Sequence, residues 1–186
     1  MDILIVTLYS YIFGSIPFGL ILTRFAGLGD VRKIGSGNIG ATNVLRTGNK
    51  YIAGLTLLLD GLKGTLSVLL TIQYFDELTY YAAVIVFLAH IFPVWLKFKG
   101  GKGVATFIGS LLVINFYLSV VFITTWLIML TIFRISAVSA LLGYLVVTVT
   151  AFIFFDQKIF LLIFFYFITS IFTHRQNITS LIKDNF

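Results

Sequence analysis

Residues 104–133 read VATFIGSLLVINFYLSVVFITTWLIMLTIF, a stretch without a charged side chain that lies between Lys102 and Arg134. Basic residues next to apolar segments favour the cytoplasmic side of a membrane, so the chain should enter the bilayer and return within this stretch. Two full spans need about 40 residues, more than the stretch offers. We therefore predict a short or re-entrant helix over about 104–114, a turn near Asn115 and a longer helix over about 117–133.

Apolar runs recur along the rest of the chain. Hydrophobic residues make up 59% of the 186 residues and charged residues 11%, whereas soluble domains carry about 25% charged residues. We therefore predict an all-α polytopic integral membrane protein, a single domain over residues 1–186, with seven transmembrane helices. The five further runs lie at about 3–23, 53–72, 79–96, 136–155 and 158–173.

The charges between these runs predict the orientation. If Met1 lies outside, the segments on the inner side hold 11 of the 13 basic residues, and the outer segments hold mainly acidic residues. The positive-inside rule then places the N-terminus outside and the C-terminus in the cytoplasm. The basic residues on the inner side are Arg24, Arg32, Lys33, Arg46, Lys50, Lys97, Lys99, Lys102, Arg134, Arg175 and Lys183. The charged residues on the outer side are Asp2, Asp76, Glu77, Asp156 and Lys158.

Composition excludes several classes of function. The chain has no cysteine, which removes disulfides, thiol nucleophiles and cysteine metal sites. Two histidines and seven scattered acidic residues do not favour a protein-built metal centre, so we expect no metal and no cofactor. The net charge of +6 could suggest nucleic-acid binding, but the basic residues follow the sides of a membrane rather than one soluble face.

The loop before the central stretch, KFKGGKGVAT at 97–106, carries the features of an anion site. Glycines permit close backbone approach, the lysine adds a charge, and the positive end of the following helix faces the loop. The pattern is not a Walker A loop, because Lys102 is followed by Gly103 and the upstream glycine position holds Leu96. The alternative is a basic anchor for lipid headgroups, which needs the lysines but not the glycines.

A second polar segment, GSGNIGATNVLR at 35–46, is dense in glycine, hydroxyls and amides. Such residues allow tight turns and offer short donors, as recognition of a polyol phosphate requires. The alternative is a turn before a helix capped by Thr42 or Asn43. If both loops and the tail at 174–177 lie on the cytoplasmic side, they converge on one face.

Three ionisable residues lie inside predicted spans. Asp60 and Lys63 are three residues apart, hence neighbours on one helix face, and are either a structural ion pair that supports the site or part of the catalysis. His90 precedes Pro93 and is either a general base or a hydrogen-bonded interior histidine.

These segments resemble the bacterial acyl-phosphate:glycerol-3-phosphate acyltransferase family over about residues 14–181. The motifs that carry the resemblance are Ser36–Asn43, Lys97–Thr106, His174–Ile178, Gly14–Gly19, Asp60 with Lys63 and Gly64, and His90 with Phe92 and Pro93. The resemblance implies a seven-helix enzyme of the bacterial cytoplasmic membrane, with its motifs at the cytoplasmic face. It implies transfer of a fatty acyl group from acyl phosphate to glycerol 3-phosphate, which makes lysophosphatidic acid for phospholipid synthesis.

The resemblance, together with charge, also suggests roles for single residues. Expected catalytic residues are Ser36, Arg46, His90, Lys102, His174 and Asn177. Expected substrate-binding residues are Gly37, Asn38, Thr42, Asn43, Gly100, Gly101, Gly103, Thr106, Arg134 and Ser139, with Asp60 and Lys63 as accessory residues. Among them, the backbone of Gly100 to Gly103, with Thr106, is expected to cradle the phosphate of the acyl donor.

The chain lacks the pattern of a Ser-His-Asp nucleophile, which favours direct attack by the substrate hydroxyl without an acyl-enzyme. The proton acceptor is either His90 or a phosphate oxygen of a substrate. The competing class is a membrane transporter or binding protein for a phosphate-bearing lipid precursor, against which the small size and the absence of an inverted repeat argue.

Overall fold

A computed structural model describes residues 1–183 of the chain, with side chains up to residue 181, so the Lys183 side chain of the predicted charge map lies outside the described part. Helices and short helical turns form all the regular structure of residues 1–183, which confirms the all-α prediction. The α-helices are α1 (Asp2–Ser15), α2 (Phe18–Phe25), α3 (Ala41–Val44), α4 (Lys50–Phe75), α5 (Thr79–Ile91), α6 (Val104–Ile114), α7 (Phe116–Phe133), α8 (Ser136–Phe154), α9 (Gln157–Thr173) and α10 (Arg175–Lys183).

The chain divides into two compact units, the first over Met1–Ile114 and the second from Asn115 onward. The boundary lies at the predicted turn. Helix α6 ends at Ile114 and α7 begins at Phe116, because the Asn115 side chain accepts a hydrogen bond from the Leu118 backbone N–H at 3.0 Å. Such a cap satisfies an N–H that has no partner inside the helix. The prediction of a short and a longer helix within residues 104–133 is therefore confirmed.

Four helical segments of residues 1–183 are long and apolar enough to cross a membrane, and a fifth qualifies if α9 and α10, bent by 56°, count as one span. The four are Asp2–Phe25, Lys50–Leu96, Phe116–Phe133 and Ser136–Phe154. Helices α5 and α6, with 13 and 11 residues, are shorter than a full span. An integral membrane protein is thus supported, and the count of seven helices stays a prediction.

The apolar run at 3–23, predicted as one span, is two helices. The chain breaks at Ile16 and Pro17, because proline restricts the residue before it to extended backbone and donates no N–H. Two side chains from elsewhere in the unit donate hydrogen bonds to the carbonyl oxygens at the break. Trp95 Nε1 donates to Ser15 O at 2.8 Å, and Lys63 Nζ donates to Ile16 O at 3.1 Å. Broken backbone at membrane depth requires such partners.

Helices α4 and α6 pack with their backbones nearly in contact. A Cβ at Gly109 would overlap the Gly61 carbonyl oxygen, and a Cβ at Gly64 would overlap that of Thr106. Thr65 Oγ1 also donates to Gly109 O at 2.9 Å across the same interface. Small residues permit this approach between membrane helices. The start of α6, where the glycine-rich loop ends, is thereby held against the middle of α4.

In the second unit, α7 packs on α8 and α8 packs on α9. The Phe122 ring of α7 meets Tyr144 of α8 edge-on, with 5.0 Å between ring centroids, and a Cβ at Gly143 would press on the same phenyl ring. Helix α9 ends at His174, where the chain turns into the short α10.

Candidate active site

The polar loop before α4 is built around the side chain of Asn43. This residue is only 2% exposed, and the two N–H groups of its amide Nδ2 are shared among three carbonyl oxygens, those of Val31 at 2.8 Å, Ile34 at 3.1 Å and Asn38 at 2.7 Å. The Asn43 side chain therefore joins three separate backbone positions of the loop. Carbonyl oxygens that are shielded from water need such donors.

The amide oxygen of Asn43 orients the predicted catalytic residues of this loop. It accepts hydrogen bonds from the Ser36 backbone N–H at 3.1 Å and from Arg46 Nη1 at 3.4 Å. Gly35 has φ +53°, and a Cβ there would overlap Arg46 Nη1. The Arg46 guanidinium thus lies over the Gly35 backbone, next to Ser36, and both side chains are exposed.

The other predicted binding residues of the loop have backbone roles as well. Asn38 Oδ1 accepts from the Gly40 N–H at 2.8 Å, and Gly37 has φ +68°, a conformation that favours glycine. Thr42 is exposed at the start of α3. The amides of Asn38 and Asn43 both bond to the loop itself, so we revise their predicted role from contacting substrate to shaping the loop.

In the glycine-rich loop, two of the predicted cradle residues turn their N–H groups inward. The Gly100 N–H donates to Ile91 O at 2.9 Å and the Gly101 N–H donates to His90 O at 3.0 Å. Both bonds continue the end of α5, whose last carbonyls lack partners inside the helix. A phosphate cradle from the N–H groups of Gly100 and Gly101 was therefore a wrong interpretation, because α5 uses those donors.

The N-terminus of α6, which is the positive end of its helix dipole, lies directly after the glycine-rich loop and is still available to bind an anion. Gly103 has φ +87°, and a Cβ there would overlap the Phe87 ring of α5, so glycine is required for two reasons. The N–H groups of the first turn of α6 have no carbonyl partner within the helix, and they carry its positive dipole end. Thr106 was predicted to bind phosphate, but its hydroxyl is buried and donates to Asp60 O at 3.0 Å instead.

The structure brings Lys102 and Arg46 together from the two loops. Burial, and then repulsion by the Arg46 charge, lower the pKa of the Lys102 amine from 10.5 to about 8. Ser36 lies beside Arg46 through the amide of Asn43. Two positive charges that repel each other favour binding of a compact dianion, which relieves their repulsion.

A buried polar cluster lies behind this surface. Lys63 Nζ is 2.9 Å from Asp60 Oδ1, which is the predicted ion pair, and His90 Nδ1 lies 3.7 Å from the same oxygen. All three residues are at most 4% exposed. The opposite nitrogen of the His90 ring, Nε2, faces Gly101, where a Cβ would overlap it. Sequence spacing reveals the Asp60–Lys63 neighbours, but not that His90 joins them.

The remaining predicted residues lie in the second unit. Arg134 ends α7 with φ +55° and is exposed, and Ser139 is buried with its hydroxyl donating to Ile135 O at 3.0 Å. His174 is 2% exposed, and its Nδ1 lies 2.8 Å from Ser170 O. Since a carbonyl only accepts, Nδ1 carries a proton. Asn177 lies in the first turn of α10.

Across residues 1–183, no group of three or more His, Asp or Glu side chains is placed to hold a metal ion.

The family model for glycerol-3-phosphate acyltransferase matches residues 4–184. The chain belongs to the glycerol-3-phosphate acyltransferase family. The family resemblance noted from the motifs is thereby confirmed, as is the prediction of a membrane acyltransferase.

Other members of the glycerol-3-phosphate acyltransferase family are similar along nearly their whole length. A protein of that name from Mesorhizobium japonicum is 48% identical over 180 residues, 97% of this chain and 92% of the relative. One from Agrobacterium fabrum is 53% identical over 175 residues, 94% of this chain and 85% of the relative.

Two solved structures of PlsY, an integral membrane glycerol 3-phosphate acyltransferase, share the fold. The glycerol 3-phosphate form has a TM-score of 0.92 at 28% identity and covers 99% of this chain and 94% of its own. The lysophosphatidic acid form has a TM-score of 0.90 at 27% identity, with 99% and 93% covered.

Proposed function

We propose that this protein transfers a fatty acyl group from acyl phosphate to glycerol 3-phosphate, releasing lysophosphatidic acid and phosphate. Membership of the family supports the acceptor, and the relatives solved with glycerol 3-phosphate and with lysophosphatidic acid support the acceptor and product. The observation that carries the proposal is the partly buried Lys102 amine near Arg46, whose pKa is lowered to about 8 by burial first and by the Arg46 charge second.

The phosphate group of glycerol 3-phosphate fits between these two cations. Arg46 offers a planar fork of donors, Lys102 offers a compact charge, and Ser36 supplies a hydroxyl beside Arg46. The first turn of α6 adds N–H groups and the positive end of a helix dipole for the phosphate of the donor. Charge stabilisation of this kind is often the largest catalytic effect that a protein supplies.

The reaction needs positioning more than a protein nucleophile. A hydroxyl oxygen of glycerol 3-phosphate bonds to the acyl carbon, and the bond from that carbon to the phosphate oxygen breaks with its electron pair on the phosphate. The hydroxyl proton passes to a phosphate oxygen. His90 is 4% exposed and lies between Asp60 and Gly101, which supports the phosphate over His90 as the acceptor.

His174 and Asn177 stay predicted catalytic residues, as the family resemblance implies. Because Nδ1 of His174 donates to Ser170 O, Nε2 accepts in the neutral ring and donates in the protonated ring. Arg134 and Ser139 stay predicted contacts. Ser139 already donates its hydroxyl proton to Ile135 O, so it acts as an acceptor there.

We propose a seven-helix topology in the bacterial cytoplasmic membrane, with the N-terminus outside, the C-terminus inside and the site facing the cytoplasm. The distribution of basic residues supports this orientation. The chain has no native cysteine, so single cysteines can be labelled without background. An impermeant thiol reagent should label Glu77→Cys and Asp156→Cys in intact cells, and Lys99→Cys and Thr179→Cys only after lysis; the reverse pattern would overturn the orientation.

The function is tested with purified protein, acyl phosphate and labelled glycerol 3-phosphate in the absence of coenzyme A. We expect lysophosphatidic acid and phosphate in equal amounts. Product formed only from acyl-coenzyme A would overturn the donor. A trapped acyl-enzyme or ping-pong kinetics would overturn direct transfer, and uptake of the phosphate compound without product would support the transporter.

A further inference from the structure

The middle of α4 contacts both flanks of Lys102 through one residue, Asp60. On one flank, the Asp60 backbone carbonyl accepts the hydroxyl proton of Thr106 at 3.0 Å, in the first turn of α6. On the other flank, the Asp60 carboxylate lies 3.7 Å from His90 Nδ1, and the far side of that ring presses on Gly101. Lys102 follows Gly101 directly, so both of its flanks rest on groups that Asp60 contacts.

Lys63 links the Asp60 carboxylate to the break between α1 and α2. Its ammonium lies 2.9 Å from Asp60 Oδ1 and donates to Ile16 O at 3.1 Å, at the break between α1 and α2. The ammonium also lies 5.9 Å from the centroid of the Phe18 ring. The broken helix, α4 and the end of α5 therefore meet at one buried ion pair.

We propose that Asp60 positions the Lys102 loop near Arg46 in two ways: its carboxylate, paired with Lys63, acts through His90, and its backbone carbonyl acts through Thr106. The inference rests on the proposed function for the identity of the reaction, but not for the geometry of the loop. Stability alone does not explain such a pair, because well-packed apolar residues of similar size are often as stable as a buried ion pair, or more so. A fixed loop, in contrast, requires directional contacts.

The decisive variant removes both charges at once, Asp60→Asn with Lys63→Met. Each single change leaves an unpaired buried charge or an unpaired donor and should unfold the protein at lower temperature. The double variant restores neutrality and leaves Ile16 O with the Phe18 N–H as its donor at 3.1 Å, so it should recover much of the thermal stability of the detergent-solubilised enzyme. If the pair positions Lys102, kcat/KM still falls by about 10- to 100-fold, because small displacements of a charged group cost that much.

The matched control removes two other buried hydroxyls of α4, Ser67→Ala with Thr71→Val. These hydroxyls bond to Ser10 and Tyr9 of α1, away from the loop. We expect kcat/KM within about threefold of the unaltered enzyme. An equal loss in both double variants, or none in either, would overturn the positioning role.

A second readout does not need turnover. The pH dependence of Lys102 labelling by an amine reagent, followed by peptide mass spectrometry, reports its pKa, about 8 in the native loop. In Asp60→Asn/Lys63→Met the midpoint should rise toward the ordinary value, because the amine moves away from Arg46 and into water. An unchanged midpoint would overturn the proposal even if the protein proved to catalyse another reaction.

A milder pair of variants covers the case in which the double variant does not fold. Thr106→Val and Thr65→Val each remove one threonine-to-carbonyl hydrogen bond between α4 and α6, to Asp60 O and Gly109 O. Only the first bond lies at the loop. We expect Thr106→Val alone to raise the labelling midpoint of Lys102 and to lower kcat/KM; equal behaviour of the two variants would overturn the proposal.

Discussion

Gly101 lies against the His90 ring so closely that a Cβ on Gly101 would overlap the ring nitrogen Nε2. The Gly101 N–H at the same time donates to the His90 carbonyl oxygen at 3.0 Å. The loop is thus joined to α5 by backbone and by side chain at one residue. Its glycines serve the approach of two segments of protein, which differs from the phosphate cradle that the sequence suggests.

Gly101→Ala should displace the loop and lower kcat/KM by about 100-fold, because the added methyl group forces either the loop or the His90 ring to move. Gly54→Ala is the matched control, since nothing lies within 4 Å of a Cβ built there and alanine favours the helix. Steady-state kinetics on both variants tests the prediction. Equal activity of the two would contradict the close approach.

Asn43→Asp should lower the midpoint of thermal unfolding by about 5–10 °C, because it removes the donors that satisfy three backbone carbonyls and buries a charge. Asn49→Asp is the control. Asn49 caps α4 by accepting from the Ile52 N–H at 3.1 Å, and an aspartate keeps that acceptor. We expect little change or a slight gain there. Similar losses at both positions would count against Asn43 as the centre of the loop.

The activity should fall as the pH rises above about 8. The pKa of the Lys102 amine is lowered to about 8, so above this pH the free enzyme loses the charge that attracts phosphate. We expect kcat/KM for glycerol 3-phosphate to decline toward tenfold per pH unit. Lys102→Arg, which stays charged, should show no decline in this range, whereas Lys99→Arg should retain it. A decline that persists in Lys102→Arg would assign it to another group.

Lys102→Met should reduce kcat/KM by about 1,000-fold without lowering the unfolding temperature. The charge of Lys102 is partly buried and is repelled by the Arg46 charge, so its removal relieves both the cost of burial and this repulsion in the folded protein. Lys99→Met removes an exposed charge of the same loop and should change kcat/KM by less than about threefold. Comparable losses in the two variants would mean that the overall charge of the loop matters rather than the position of Lys102.

Periodicity and charge predict much of the fold. The break of the central apolar stretch at Asn115 follows from its length and from the charges at both ends, and the structure has it there. The break at Pro17 lies within a continuous apolar run, whose hydropathy alone predicts one unbroken helix. The partners that make that break tolerable, Trp95 and Lys63, are far away in sequence, and their roles follow only from packing.

In the candidate site, too, local sequence predicts some features and only the packing of distant segments shows the others. Residue type indicates that Arg46 and Lys102 bind an anion, and a motif resemblance suggests which one. The donors of Gly100, Gly101 and Thr106 were assigned to a ligand, yet the end of α5 and the Asp60 carbonyl use them. Local sequence does not indicate whether a polar group meets a ligand or another part of the chain.

By itself, the sequence determined the membrane environment, the helical class and the family, because apolar run lengths, charge placement and short motifs are local properties. Only the tertiary structure decided that Lys102 lies within electrostatic reach of Arg46 and that Asp60 contacts Lys63, His90 and Thr106. These relations join residues distant in sequence. They depend on close helix packing at glycines and on the need of each buried polar group for a partner.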